Sequence, residues 1–258
     1  MTTTAGDGRA GVLSPEQDAF GRMLQDHHHG QPVGFPVWER DDGVLAPARP
    51  AEWFFAPAVD WPKTERRALT MARGKVLDLG CGAGRHARWI QDEGSTVVAV
   101  DHSPGAVEVT KLRGVRDTRL AELTALPPDL VDFDAVLLLC GNLGLAGSPE
   151  RTRWLLRDLW RRTKPGALLL ADTEDPGLTE DPDELAYHAR NERRGYPPGL
   201  TRLRLRYRTM ATPWFPLYRV ARGELSALLD GTGWTLAERF DEGAEYLVAL
   251  HRAGDLGR

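Results

Sequence analysis

The segment Val76-Leu77-Asp78-Leu79 runs directly into Gly80-Cys81-Gly82-Ala83-Gly84 and then into Arg85-His86-Ala87-Arg88: an apolar strand pattern that turns through glycines into a helix pattern. This constrains the fold more than any other stretch. Glycines between a strand and a helix put bare backbone and a helix N-terminus where a ligand can approach closely. Dinucleotide binding through such a loop requires GxGxxG, but Arg85 holds the third glycine's place and the spacing is GxGxG. Asp78, at the strand end, would repel a pyrophosphate and suits a cationic group.

Around this loop, strand and helix patterns alternate. Strands are expected at 76–79, 96–100, 116–121, 133–140 and 167–171, with helices at 85–93, 104–113 and 150–163. The order predicts an α/β domain with a mostly parallel sheet and crossover helices. After the fifth strand the rhythm breaks into an insert over about 174–216. It holds an alternating stretch, Thr201 to Met210, in which Leu203, Leu205 and Tyr207 point one way and Arg202, Arg204, Arg206 and Arg208 the other. The arginines read as the solvated face of an edge strand, with an anion-binding face as the alternative. A helix at 222–229 and a strand at 246–251 close the domain.

Upstream, residues 1–13 lack periodicity and are expected to be a structureless leader. Ser14-Pro15-Glu16-Gln17 reads as a capping box opening a helix whose apolar face carries Phe20, Met23 and Leu24. His27, His28 and His29 end that helix. The aromatic-rich remainder to residue 70, with Trp38, Trp53, Phe54, Phe55 and Trp61, is expected to lie over a cleft as a lid, leaving 71–258 as the main domain.

Composition narrows the classes. The 258 residues, 41% hydrophobic, can supply a core, and 33 basic against 37 acidic residues give a net charge of −4. Nucleic-acid binding draws on excess positive charge, so no nucleic-acid partner is expected. No apolar run approaches membrane-spanning length and the N-terminus lacks a signal-peptide pattern, so no membrane partner and a cytoplasmic location are expected. Cys81 and Cys140 form no CxxC pair, and no metal is expected.

Val76 to Gly84 with Asp101, which closes the second strand 17 residues after Gly84, resembles the first two motifs of the class I S-adenosylmethionine (SAM)-dependent methyltransferases. The resemblance runs from about residue 74 to the C-terminus and implies a doubly wound, Rossmann-like sheet of seven strands with SAM as methyl donor. It implies that Asp78, Gly80, Cys81, Gly82 and Gly84 surround the cofactor. Asp101, with His102 beside it, would accept hydrogen bonds from both ribose hydroxyls, which suits a two-oxygen acceptor. Glu122 and Leu123 match the adenine contacts, and Cys140 and Asn142 the methionine end. A CGNLG sequence replaces the proline-rich tetrapeptide of many nucleic-acid and protein-amine methyltransferases.

More narrowly the chain resembles a bacterial group of small-molecule methyltransferase-like proteins, through Glu39-Arg40-Asp41-Asp42-Gly43, GNLGL, Asp181-Pro182, Ala186-Tyr187-His188 with Asn191, Thr212-Pro213-Trp214-Phe215 and Gly231-Thr232-Gly233-Trp234. The expected function is methyl transfer to oxygen, nitrogen or carbon of a small organic acceptor. A SAM-using cyclisation or aminocarboxypropyl transfer, and a non-catalytic SAM-binding regulator, are the alternatives. His29, Tyr187 and His188 are candidate catalytic groups, and a homodimer is the candidate assembly. Three successive residues on a helix, about 100° apart, cannot converge on one ion, which argues against a histidine metal site.

Overall fold

The computed structural model describes residues 11–253. Helix α1 (Ala19–His28) leads into a hairpin of β1 (Val37–Arg40) and β2 (Leu45–Pro47), then helix α2 (Lys63–Met71). An alternating core follows: β3 (Lys75–Leu79), α3 (Arg85–Asp92), β4 (Thr96–Asp101), α4 (Pro104–Leu112), β5 (Asp117–Leu120), β6 (Phe133–Leu138), α5 (Pro149–Arg162) and β7 (Thr163–Glu174). The insert contains α6 (Pro182–Arg193), β8 (Leu200–Tyr207), β9 (Met210–Ala211) and β10 (Phe215–Tyr218). The chain closes with α7 (Leu225–Leu229), β11 (Trp234–Glu242) and β12 (Glu245–Arg252).

The main sheet has seven strands in the order β11-β12-β7-β6-β3-β4-β5, parallel from β7 to β5 and antiparallel where β12 joins β7 and β11 joins β12. Its central strands are mostly apolar because both faces are covered. In β6, Val136 and Leu138 pack into one core with Leu155 and Leu159, while Ala135 and Leu137 pack into another with Ile90 and Trp61. Serine or aspartate before proline starts three of the helices. Ser103, Ser148 and Asp181 each accept a hydrogen bond from a backbone N–H of the first turn, and the following proline needs no partner there. The chain leaves β3 to both sides, β4 on one and β6 on the other, so the crevice at the carboxyl ends of these strands is the switch point where ligands of such sheets bind.

A second sheet, β10-β8-β1-β2 with β9 on β8, joins the lid segment and the insert into one layer: Trp38 pairs with Leu205 and Phe215 with Leu203. The expected lid segment and the insert thus form a single roof. Strand β8 is correspondingly interior rather than an edge, and two of its three arginines are paired. Arg204 and Arg206 both donate to Glu39, whose carboxyl they hold down at about 2. The alternation itself holds, with Leu203, Leu205 and Tyr207 buried.

The expected cap of the first helix is corrected. Pro15–Gln17 form a single 3-10 turn, and Asp18 caps α1 by accepting from Gly21 N at 2.8 Å. The expected leader falls largely on residues outside the described ones. Within them, Leu13 is buried and its N–H donates to His102 O at 3.1 Å. No helix among the described residues is long and apolar enough to cross a membrane.

Candidate active site

A cavity of about 400 Å³ opens at the switch point. Its floor is the glycine loop and the ends of β4, β6 and β7, and its roof is the second sheet, with Trp38, Leu203, Leu205 and Phe215 facing down. The glycine loop is built for close approach. Gly80 has φ +76°, and a Cβ there would strike the Asn142 side chain, which donates to the Leu79 and Gly80 carbonyls at 2.9 and 3.1 Å. Gly82 has φ +56° and lies under the Phe20 and Phe54 rings, themselves edge-to-face at 5.1 Å. Asp101 orders the loop by accepting from Gly82 N at 2.9 Å and Ser103 N at 3.0 Å. Burial pushes the Asp101 carboxyl up, but His102 and these two N–H groups outweigh it and hold the pKa below its ordinary value.

Of the expected cofactor residues, Gly80, Cys81, Gly82, Asp101, His102, Cys140 and Asn142 line this cavity. Asp78, Gly84, Glu122 and Leu123 lie outside it. Asp78 is buried behind the loop, where burial and the nearby Asp101 charge push its carboxyl up to about 6 and one of its oxygens has no partner. The Ala87 backbone N–H, in the first turn of α3, pulls that carboxyl back down. Gly84 serves packing instead, since a Cβ would meet Thr110 at 2.7 Å. Glu122 accepts from Thr124 at 2.7 Å, and Leu123 packs against the core.

The residues expected as catalytic groups do not line this cavity. His29 is exposed with Nδ1 2.8 Å from Gln25 O, and none of the three histidines reaches the cavity, because the buried face of α1 belongs to Met23 and Leu24. Tyr187 is buried within the insert. Its hydroxyl donates to Asp41 at 2.9 Å and accepts from Arg202 N, and the Arg40 guanidinium stacks on its ring. His188 is buried beside Glu184, 3.7 Å away. Tyr187 ties α6 to the second sheet, and neither residue lines the cavity.

Four charged residues of the floor carried little signal. Glu65 on α2 is 2% exposed and accepts from Arg85 at 2.5 Å, with His86 Nε2 at 2.7 Å on the same oxygen. Burial raises the Glu65 pKa, yet His86 and Arg85 together bring it below the ordinary range. Arg85 also stacks 3.7 Å over Trp53. Asp172, near the carboxyl end of β7, accepts from the backbone N–H groups of Cys140 at 3.0 Å and Gly141 at 2.5 Å. It thereby holds a turn in which Cys140 takes φ +66° and Gly141 φ +80°. Arg85 and His86 adjoin the glycine motif and were findable by position. Glu65 had no motif, and Asp172 only its place at a strand end. Glu65, His86 and Cys140 bring three metal-type ligand atoms within 4.8 Å, but the Arg85 guanidinium already sits against Glu65 and the Cys140 sulfur. A cation there would have to displace it.

A seven-stranded doubly wound sheet with a GxGxG loop at its switch point and a carboxylate ending the next strand defines a nucleoside-binding transferase of the class I methyltransferase type. Residues 76–166 match the family described as a methyltransferase domain. A crystal structure of a SAM-dependent methyltransferase from Bacteroides fragilis in complex with S-adenosyl-L-homocysteine is 30% identical, with a TM-score of 0.80 over 94% of this chain and 98% of that one. A demethylmenaquinone methyltransferase from Clavibacter sepedonicus is 34% identical over 111 residues, and a malonyl-[acyl-carrier protein] O-methyltransferase from Salmonella typhimurium 33% over 110. These matches cover 42% and 41% of this chain, and 44% and 42% of those proteins, so the chain spans under half the length of either relative. The chain belongs to the SAM-dependent methyltransferase superfamily.

Because His28 and His29 stand in water away from the cavity, replacing either with alanine is expected to leave SAM affinity within about twofold, as for ordinary surface changes. Titration calorimetry checks this, and loss of binding would return the histidines to the cofactor site.

Proposed function

We propose that this chain transfers the methyl group of SAM to a small organic acceptor held between the glycine loop and the second sheet. One observation carries the reading: a single cavity runs from the Asp101 edge of the glycine loop to an apolar, aromatic roof. Asp101 would hold the ribose hydroxyls, and the loop from Gly80 to Gly82 would let the donor lie against bare backbone. The S-adenosyl-L-homocysteine in the Bacteroides fragilis structure supports the choice of donor.

Methyl transfer from a sulfonium is a direct displacement. The protein must therefore align nucleophile, methyl carbon and sulfur, and keep water out. Phe20 and Phe54 over Gly82 and Trp38 against Phe215, ring centroids 6.1 Å apart, would supply that dry enclosure. A cavity of this size suits a compact acceptor rather than a polymer.

Purified protein incubated with SAM and a panel of small acceptors should give S-adenosylhomocysteine only when an acceptor is present. Methylthioadenosine formed from SAM alone would overturn methyl transfer in favour of cyclisation or aminocarboxypropyl transfer.

A further inference from the structure

Six carboxylates and four guanidiniums reach the cavity, and the guanidiniums are all paired. Arg85 is on Glu65, Arg49 on Glu245, Arg219 on Glu174 and Glu184, and Arg40 on Asp42 and Glu184. His86 adjoins Glu65 and His102 adjoins Asp101. Among the described residues Asp172 is the one cavity carboxylate with no cationic partner, although it is 7% exposed and accepts only two backbone N–H groups. Glu174 and Glu245, directly opposite each other on β7 and β12, also reach the cavity, each with its own arginine partner. Arg204 and Arg206 of β8 do not partner Asp172. The strand alternates, so Leu203 and Leu205 face the cavity while Arg204 and Arg206 reach Glu39 on the other side.

The geometry points to an acceptor that is a protonated amine on an apolar body, with its ammonium on Asp172 and its body under Trp38, Leu203, Leu205 and Phe215. This rests on the methyl-transfer reading above. A carboxylate or phosphate acceptor would find no free cation, and a neutral hydroxyl would leave the buried charge uncompensated. Asp172 then has a second task. Its carboxylate takes one proton from the ammonium, and the freed nitrogen lone pair forms the C–N bond as the methyl carbon–sulfur bond breaks. The bonding pair stays on sulfur, turning sulfonium into thioether. The product leaves as a methylated ammonium, and the Asp172 proton passes to water.

The pH dependence has a fixed sign. Burial raises the Asp172 carboxyl to about 7 against the pull of the Gly141 and Cys140 N–H groups, with Glu65 from α2 raising it further and His86 from α3 lowering it. The Cys140 thiol follows β6 beside the same turn. Only the ionised carboxylate holds an ammonium, so amine affinity should climb from about pH 6 to about pH 8, below the range where the amine itself loses its charge.

Calorimetry on the full chain saturated with S-adenosylhomocysteine tests this with phenethylamine, 2-phenylethanol and 3-phenylpropanoate. The amine should bind at least about tenfold tighter than the alcohol and the acid, as a charge-assisted hydrogen bond in a buried site provides. Asp172→Asn should remove that preference while alcohol binding persists. The pH series on the unaltered protein gives the same reading should the variant not fold. An acid that binds best, an amine that binds no tighter than the alcohol, undetectable binding of all three, or a preference that survives Asp172→Asn overturns the proposal. Failure to bind S-adenosylhomocysteine at the outset would instead strike the donor reading on which it rests.

Discussion

Asp101→Ala is expected to lower SAM affinity at least about a hundredfold. Two charge-assisted hydrogen bonds to a ligand, each worth roughly 1.5–3 kcal/mol, vanish with the carboxylate. The buried Gly82 and Ser103 N–H groups lose their acceptor as well, so the loop that should face the donor loses its fixed shape. Asp101→Asn retains one acceptor oxygen and should fall between the two. Calorimetric titration with S-adenosylhomocysteine measures the effect, alongside thermal melting to separate binding from unfolding. A folded alanine variant that binds within about tenfold of the parent would mean that the carboxylate ending β4 does not anchor the nucleoside.

Asp18→Ala should cost about 3 kcal/mol of stability, and more than any exposed substitution on the same helix. The Asp18 carboxylate, 4% exposed, accepts from Gly21 N, the Ser103 hydroxyl and Gly105 N, all within 2.9 Å. It fastens α1 to the start of α4, where the backbones touch so closely that a Cβ on Gly105 would lie 2.7 Å from the Gly21 carbonyl carbon. Removing it leaves three buried donors unsatisfied. A protein of this size should lose roughly 10 °C in melting temperature. Ser103 adjoins the Asp101 carboxylate, so SAM binding should weaken with it. A shift under about 2 °C would mean that α1 is held by its apolar face alone.

The sequence alone determined the central sheet and the location of its ligand edge, because both are written in local pattern. Apolar runs of strand length, proline-led helix starts and a GxGxG turn each concern residues within a few positions of one another. Asp101 was legible for the same reason, as the polar residue that ends an apolar strand. Helix α1 was legible in its apolar face but not in its cap, since Asp18 also serves Ser103 and Gly105, far along the chain.

What only the tertiary structure decided is the acceptor side. Strand β8 looked like an edge because its partner β1 lies some 160 residues earlier, and no local spacing predicts that Trp38 will face Leu205. That pairing joined the lid segment and the insert into one roof, directed Arg204 and Arg206 to Glu39, and drew Tyr187 onto Asp41. It left Asp172, near the carboxyl end of β7, as the cavity carboxylate without a cationic partner among the described residues. Periodicity fixes which way a side chain points within its own element, whereas the group it meets is set by long-range packing.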